Sequence, residues 1–305
     1  MDSVLTLIGA SGLASAWPMM LPLAVETLRQ AGAAVSPPDW LAPDLAVDLP
    51  FHGLDPAAAE TIVRAALDRE SGEPALDLVA QPRAGRRRRL LVADMESTII
   101  ANEMLDELAE ILHLGPRVAE LTRRAMNGEI DFAGALRERV ALLKGVPAGV
   151  LDEARRRIQA NPGARELVAS MRAAGAYTAL VSGGFRSFTG PVRSELGFDV
   201  DIANELIVSG GTLTGTVREP ILDREAKLAT LRRLASERGL SLAETMAVGD
   251  GANDLPMLQA AGLGIAYHAK PAVRSAARHR IDHADLTGLL YVQGYRASEI
   301  RPTAT

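Results

Sequence analysis

The sequence predicts an α/β protein: a parallel sheet with a helical insertion after its first strand, preceded by a small α+β domain. Three observations carry this. Apolar runs break into acidic and small residues in Leu90-Leu91-Val92-Ala93-Asp94-Met95-Glu96-Ser97-Thr98 and in Met246-Ala247-Val248-Gly249-Asp250-Gly251-Ala252-Asn253-Asp254. Helical stretches follow the first run with no strand between them. The residues before 81 follow the order βαββαβ, that of a ferredoxin-like unit.

A chain of 305 residues allows two domains and ample core. Apolar residues make up 48% and aromatics only 4%, which suits a soluble α/β protein built on Ala, Leu and Val. The formal charge of −5 gives no general attraction to nucleic acid. Cysteine is absent, which excludes disulfides, thiolate metal sites and a Cys nucleophile. Its absence fits a reducing compartment, so a cytoplasmic location is expected. Residues 4–25 carry no charge, and Ala14-Ser15-Ala16 resembles a signal-peptidase site. However, Asp2 stands where a signal would have Lys or Arg, and Gly9, Gly12, Pro18 and Pro22 interrupt the run. A strand, a loop and the start of a helix are expected there, not a membrane span.

The elements follow in order. Residues 4–8 form a strand and 21–30 a helix ending near Gly32. Residues 33–40 and 45–49 suit a strand pair. Asp55 caps a helix with Pro56 at its first position, running to about Arg69. Residues 76–80 make a last strand. Residues 81–89 hold Pro82, Gly85 and the arginines 86–89, and are expected to be a solvated linker. After the strand ending at Asp94 come helical stretches at 103–113, 116–126, 132–143 and 150–159. Strands are expected at 176–181, 246–248 and 263–266, with a β-hairpin over 201–209 and 211–217. The domains are thus 1–84 and 85–305, with a helical cap over about 103–160.

In a parallel sheet, ligands gather at the carboxyl ends of strands. Asp94 and Asp250 would meet there, and a hard cation such as Mg²⁺ would relieve their repulsion while sharing substrate phosphate oxygens. Asp94 can attack phosphorus, and Glu96 can protonate a leaving alkoxide and then activate water. Either alone could equally be a solvated loop carboxylate. Asp254 suits the orientation of ligands around the ion, or simply a helix cap. Ser182-Gly183-Gly184 after a strand can cradle phosphate, or merely turn. Lys227 alone would be a solvated helical lysine.

Asp94-Met95-Glu96-Ser97-Thr98, Ser182-Gly183-Gly184, Lys227 and Gly249-Asp250-Gly251-Ala252-Asn253-Asp254 occur in the order of the haloacid dehalogenase superfamily. Residues 124–140 resemble the helical cap of the phosphoserine phosphatase family. The similarity spans about 90–290. Before it, the chain resembles the small ACT-like domain found in front of some of these phosphatases. The resemblance implies a Rossmannoid sheet, Asp94 as nucleophile and Glu96 as general acid and base. It implies Mg²⁺ held by Asp94, Asp250 and the Glu96 carbonyl. Ser182, Gly183 and Lys227 would bind the phosphoryl group, with Asn253 lining its pocket. Glu103 would meet a substrate ammonium and Arg139 its carboxylate. Met126 and Phe132 would help exclude water.

The expected activity is Mg²⁺-dependent hydrolysis of O-phospho-L-serine, the last step of serine synthesis. The expected partner is this small phosphomonoester, with neither nucleic acid nor membrane. The sequence does not choose between a monomer and a homodimer. The family usually has Asp where this chain has Glu96. A related phosphotransferase acting between phosphoserine and homoserine also has Asp-x-Glu, so transfer to an alcohol is the alternative. A non-catalytic amino-acid sensor is a third reading, opposed by the full set of catalytic residues.

Overall fold

The first strand is apolar on both sides because it is covered on both sides. The structure, a computed structural model, describes residues 2–10, 12–71, 75–126 and 129–301, without the side chains of Ser71, Thr122, Ala125 and Met126. The chain opens with β1 (Ser3–Gly9), α1 (Trp17–Gln30), β2 (Ala34–Val35), β3 (Asp39–Ala42), β4 (Ala46–His52), α2 (Pro56–Ser71) and β5 (Leu76–Pro82). β1 pairs antiparallel with β4 and β5, while β2 and β3 both pair with β4. Leu5 and Leu7 pack with Trp17, Leu28, Val63 and Leu67 of the two helices. Ile8 and Val79 instead join the core of the sheet that follows. The strand expected over 33–40 is two pieces, because Pro37 and Pro38 have no N–H for a ladder. The helix expected at 21 starts earlier, at Trp17, with Pro18 in its first turn.

β6 (Leu90–Ala93) begins the second sheet. The insertion then supplies α3 (Met104–Ile111), α4 (Gly115–Met126), α5 (Phe132–Ala141) and α6 (Val150–Arg155). It is tied off where Ala101 N donates to Gln159 O and Asn161 N to Ile99 O, at 2.8 and 2.9 Å. The chain continues through α7 (Ala164–Ala173), β7 (Tyr177–Phe185), α8 (Arg186–Leu196), β8 (Val200–Asn204), β9 (Leu206–Ser209), β10 (Thr212–Val217) and α9 (Arg224–Glu237). It ends with β11 (Thr245–Gly249), α10 (Leu255–Ala260), β12 (Leu263–Tyr267), α11 (Pro271–Ala276), β13 (His279–Ile281) and α12 (Gly288–Val292). Six parallel strands lie in the order β13-β12-β11-β6-β7-β8. β6 and β11 are neighbours, with Val248 beside Ala93, so the two acidic segments leave the sheet side by side. No helix among the described residues is long and apolar enough to cross a membrane.

Two expectations need correction. The hairpin is β9–β10 alone, and β8 is the edge strand of the parallel sheet. This hairpin packs on the insertion: Leu213 N donates to Val146 O and Gly145 N to Leu213 O, at 2.8 and 2.9 Å. The arginines 86–89 are only partly the solvated linker expected: Arg87 and Arg89 are exposed, but each of the four has a partner. Arg86 pairs with the buried Asp48, which also accepts from Thr6 Oγ1 at 2.7 Å. Arg87 stacks on the Tyr295 ring at 4.3 Å and pairs with Glu299. Arg88 donates to the carbonyls of Gly85 and Ala243, and Arg89 pairs with Glu244. The run fastens the two sheets together. Removing Arg86 would leave the Asp48 carboxylate buried without its cation. We expect Arg86→Ala to destabilise the fold by about 3 kcal/mol in urea unfolding, with the exposed Arg83→Ala nearly neutral.

Candidate active site

The loop after β6 is shaped to turn acids inward. Asp94 and Glu96 keep extended backbone angles, and Ser97 then takes a left-handed conformation at φ 54°. For a residue other than glycine that conformation costs about 1–2 kcal/mol. It is held by Ile100 N donating to Met95 O at 2.9 Å and by Ser97 Oγ donating to Glu103 Oε1 at 2.7 Å. Asp94 N donates to Val248 O at 2.9 Å, carrying the β6–β11 pairing one step further.

Carboxylate oxygens of Asp94, Asp250 and Asp254 lie within 4.8 Å of one another, and all three residues are buried. Hard oxygen donors this close are able to coordinate a divalent cation. Lys227 Nζ lies 2.8 Å from Asp94 Oδ1 and 2.6 Å from Asp254 Oδ1, at only 1% exposure. Asp254 Oδ2 accepts from Gly251 N at 3.0 Å. A methyl group at Gly249 would overlap the Asp254 carboxyl, so that glycine makes its seat. Burial, then Asp254, raises the Asp94 pKa well above the carboxylate range, against the pull of Lys227. Burial also raises Asp250, with the ammonium of Lys270 opposing. Burial would lower Lys227, but Asp94 and Asp254 outweigh it and raise its pKa.

Glu96 is held at Oε1 by the Met104 N–H, 2.9 Å away at the start of α3. Burial, then the neighbouring Glu103, pushes its pKa up to about 7. Its Oε2 lies over Gly184, where an added Cβ would come within 2.8 Å. Ser182 is buried inside β7, which runs on to Phe185 beyond the expected end at 181, and its Oγ accepts from Gly184 N at 2.9 Å. Phe132, the first residue of α5, lays its ring edge on Gly183 from the insertion side. Arg139 is half-buried in α5, with Nε donating to Ala135 O at 3.2 Å. Burial lowers its pKa, with Asp106, Glu96 and Glu103 pulling the other way. The Asn253 carboxamide folds over Gly251. Met126 ends α4, and its side chain lies outside the described residues.

The fold therefore gathers Asp94, Glu96, Ser182, Lys227, Asp250, Asn253 and Asp254 at the carboxyl edge of the sheet, and sets Phe132, Glu103 and Arg139 above them. Sequence reasoning passed over Thr98, whose Oγ1 donates to Asp250 Oδ1 at 3.4 Å. It also missed Lys270, 3.7 Å from Asp250 Oδ2. Asp106 had a readable signal, since it stands one helical turn after Glu103.

A family model for haloacid dehalogenase-like hydrolase matches residues 91–259. The phosphoserine phosphatase of Archaeoglobus fulgidus is 45% identical over 232 residues, 75% of this chain and 67% of that protein. The chain belongs to the phosphoserine phosphatase family of haloacid dehalogenase-like hydrolases. A phosphoserine phosphatase of Mycobacterium tuberculosis is 40% identical over 83% of this chain and 64% of its own length. The match thus spans about two thirds of the length of these two relatives. The crystal structure of a haloacid dehalogenase family hydrolase from Salmonella enterica superposes with a TM-score of 0.81 at 27% identity, covering 96% of this chain and 99% of that one.

In this member of the phosphoserine phosphatase family, Gly184 decides where the Glu96 carboxyl can rest. Gly184→Ala is expected to displace it and lower kcat for phosphomonoester turnover by about 100-fold, since misplacement near 1 Å costs that much. Its thermal midpoint should stay close to that of the parent, because Gly184 does not need a positive φ.

Proposed function

We propose that the chain hydrolyses O-phospho-L-serine to L-serine and phosphate with Mg²⁺, through an aspartyl-phosphate on Asp94. One observation carries this: Asp94 lies against Lys227 and beside Asp250, under a Glu96 that holds or releases a proton near neutral pH.

The donor set fits the ion, being oxygen-only and crowded enough that carboxylate repulsion favours a cation. Asp94, Asp250 and the Glu96 carbonyl would hold Mg²⁺, which supplies neutralisation of phosphoryl charge when bound. The chain's own residues do the rest. Met95 N and Lys227 Nζ both contact Oδ1 of Asp94, which leaves Oδ2 to attack the phosphorus. Lys227 and Ser182 bind the phosphoryl oxygens with the Gly183 N–H, and Asn253 lines their pocket. Asp254 keeps Lys227 charged and in place.

As Asp94 attacks, the bond from phosphorus to the serine oxygen breaks and Glu96 gives that oxygen its proton. Glu96, now ionised, takes a proton from water, whose oxygen attacks the acyl phosphate and frees Asp94. A pKa about 7 lets one carboxyl serve both steps. Glu103 receives the substrate ammonium and Arg139 its carboxylate in two parallel hydrogen bonds. Phe132 excludes water as the cap closes. This reading assigns the chemistry to residues 85–305, with the cap over about 103–160, and leaves residues 1–84 outside the reaction.

Glu96 favours a second reading, transfer to an alcohol, because the first half-reaction is shared. Incubation with phosphoserine and homoserine separates the two: phosphohomoserine outpacing free phosphate would displace hydrolysis. Phosphate release is expected from phosphoserine ahead of other phosphorylated metabolites, and chelation should abolish it. Asp94→Asn should reduce turnover to background. Near-normal hydrolysis by that variant would remove the nucleophile. Arg139→Ala should raise KM for phosphoserine at least about tenfold while sparing p-nitrophenyl phosphate, since a charged hydrogen bond is worth about 1.5–3 kcal/mol. Equal losses on both substrates would refute its role in selection.

A further inference from the structure

Asn204 closes β8 at 3% exposure, opposite Phe185 of β7. Its Nδ2 donates to Gly183 O at 2.7 Å, and its Oδ1 accepts from Leu222 N at 2.7 Å. The same Nδ2 lies 3.4 Å from Leu222 O. The partners fix the orientation of the amide, since a carbonyl needs the nitrogen and an N–H needs the oxygen. One buried carboxamide thus joins two segments that are remote in sequence, the Ser182-Gly183-Gly184 stretch near the end of β7 and the approach to α9.

Each end leads to a group facing the phosphoryl site. Gly183 C=O and Gly184 N–H belong to one planar trans peptide, so they point in opposite directions. Holding the carbonyl toward Asn204 turns the N–H toward Ser182, whose Oγ accepts it at 2.9 Å. With a lone pair occupied, the Ser182 hydroxyl keeps its proton for an anion in front of it. At the other end, Leu222 precedes Asp223, which caps α9 by accepting from Glu225 N and Ala226 N at 3.0 Å. Lys227 N donates to Asp223 O in the first turn of that helix.

We infer that Asn204 is a positioning residue, which orients the Ser182 hydroxyl and sets its spacing from the Lys227 ammonium. The inference rests on the phosphatase reading of this site. Without the Nδ2 donor, the Gly183–Gly184 peptide is free to rotate and the serine hydroxyl loses its orienting partner. The loss then falls on phosphoryl recognition, not on selection of the leaving group.

A double-mutant cycle with Ser182→Ala tests this. Asn204→Asp keeps an oxygen for Leu222 N but sets another against Gly183 O, and Asn204→Ser is the neutral second variant if the first does not fold. Each is expected to lower kcat/KM by about 10- to 100-fold. The factor should be similar for phosphoserine and p-nitrophenyl phosphate, and orthovanadate affinity by calorimetry should weaken in step. In the Ser182→Ala background Asn204→Asp, which keeps the Leu222 contact, should cost no more than about twofold, because it then acts only through that hydroxyl. Losses that multiply across the cycle, or unchanged kcat/KM and vanadate affinity, would overturn the inference. A parent chain that ignores phosphoserine but cleaves the aryl phosphate would remove the substrate reading and leave the cycle able to judge Asn204.

Discussion

A buried ammonium between two buried carboxylates is the constraint from which the site is built. Lys227 touches Asp94 and Asp254 and is almost wholly withdrawn from water. Such an arrangement is costly to assemble, because desolvating each ion costs several kcal/mol before the pairing offsets it. It persists only if three elements are held in register: the end of β6, the start of α9 and the turn after β11. The adjacency of β6 and β11 in the sheet fixes the first and third. The cap at Asp223 fixes the second. Removing one partner would leave a charge stranded, so the fold and the chemistry share the same failure.

Glu96 shows how the chain accommodates a longer side chain than its family usually has there. The extra methylene would push the carboxyl outward from an unchanged loop. Here the carboxyl lies over Gly184, where a Cβ would strike it, and its other oxygen reaches the first N–H of α3. A helix N-terminus favours the ionised form, whereas burial and Glu103 favour the neutral one. The balance lands near neutrality, where a proton carrier is most useful.

Periodicity and strand endings made the core legible. Both acidic segments fall where apolar strands stop, and the structure sets them side by side. The uninterrupted helical stretch was equally clear, because nothing between 103 and 143 alternates with a period of two. What escaped was decided by contacts between distant residues. Residues 201–209 look like one β segment, yet the chain leaves the parallel sheet after Asn204 and enters a hairpin on the insertion. Nothing local marks that change. Thr98 and Lys270 gain meaning only once Asp250 is beside them. Arg86 misled for the same reason, since one arginine of a basic run looks solvated until its buried acid is located.

The seam between the two sheets is polar in a way that a flexible tether would not need. Asp77, in β5, accepts from the backbone N–H groups of Asp282, His283 and Ala284 at 2.7, 3.1 and 2.8 Å. Glu60 of α2 meets the buried His279 of β13 at 3.1 Å. Gln81 donates to Val292 O at 2.7 Å. Apolar packing alone, as between Ile8 and its neighbours, would tolerate sliding of one sheet on the other. Buried polar groups do not, because a shift would leave each of them without a partner. These contacts therefore fix one docking geometry more than they add stability. Asp77 also anchors Ala284, whose carbonyl lies 2.8 Å from His268 Nε2 just past the carboxyl end of β12, so the amino-terminal sheet reaches the loop that follows that strand.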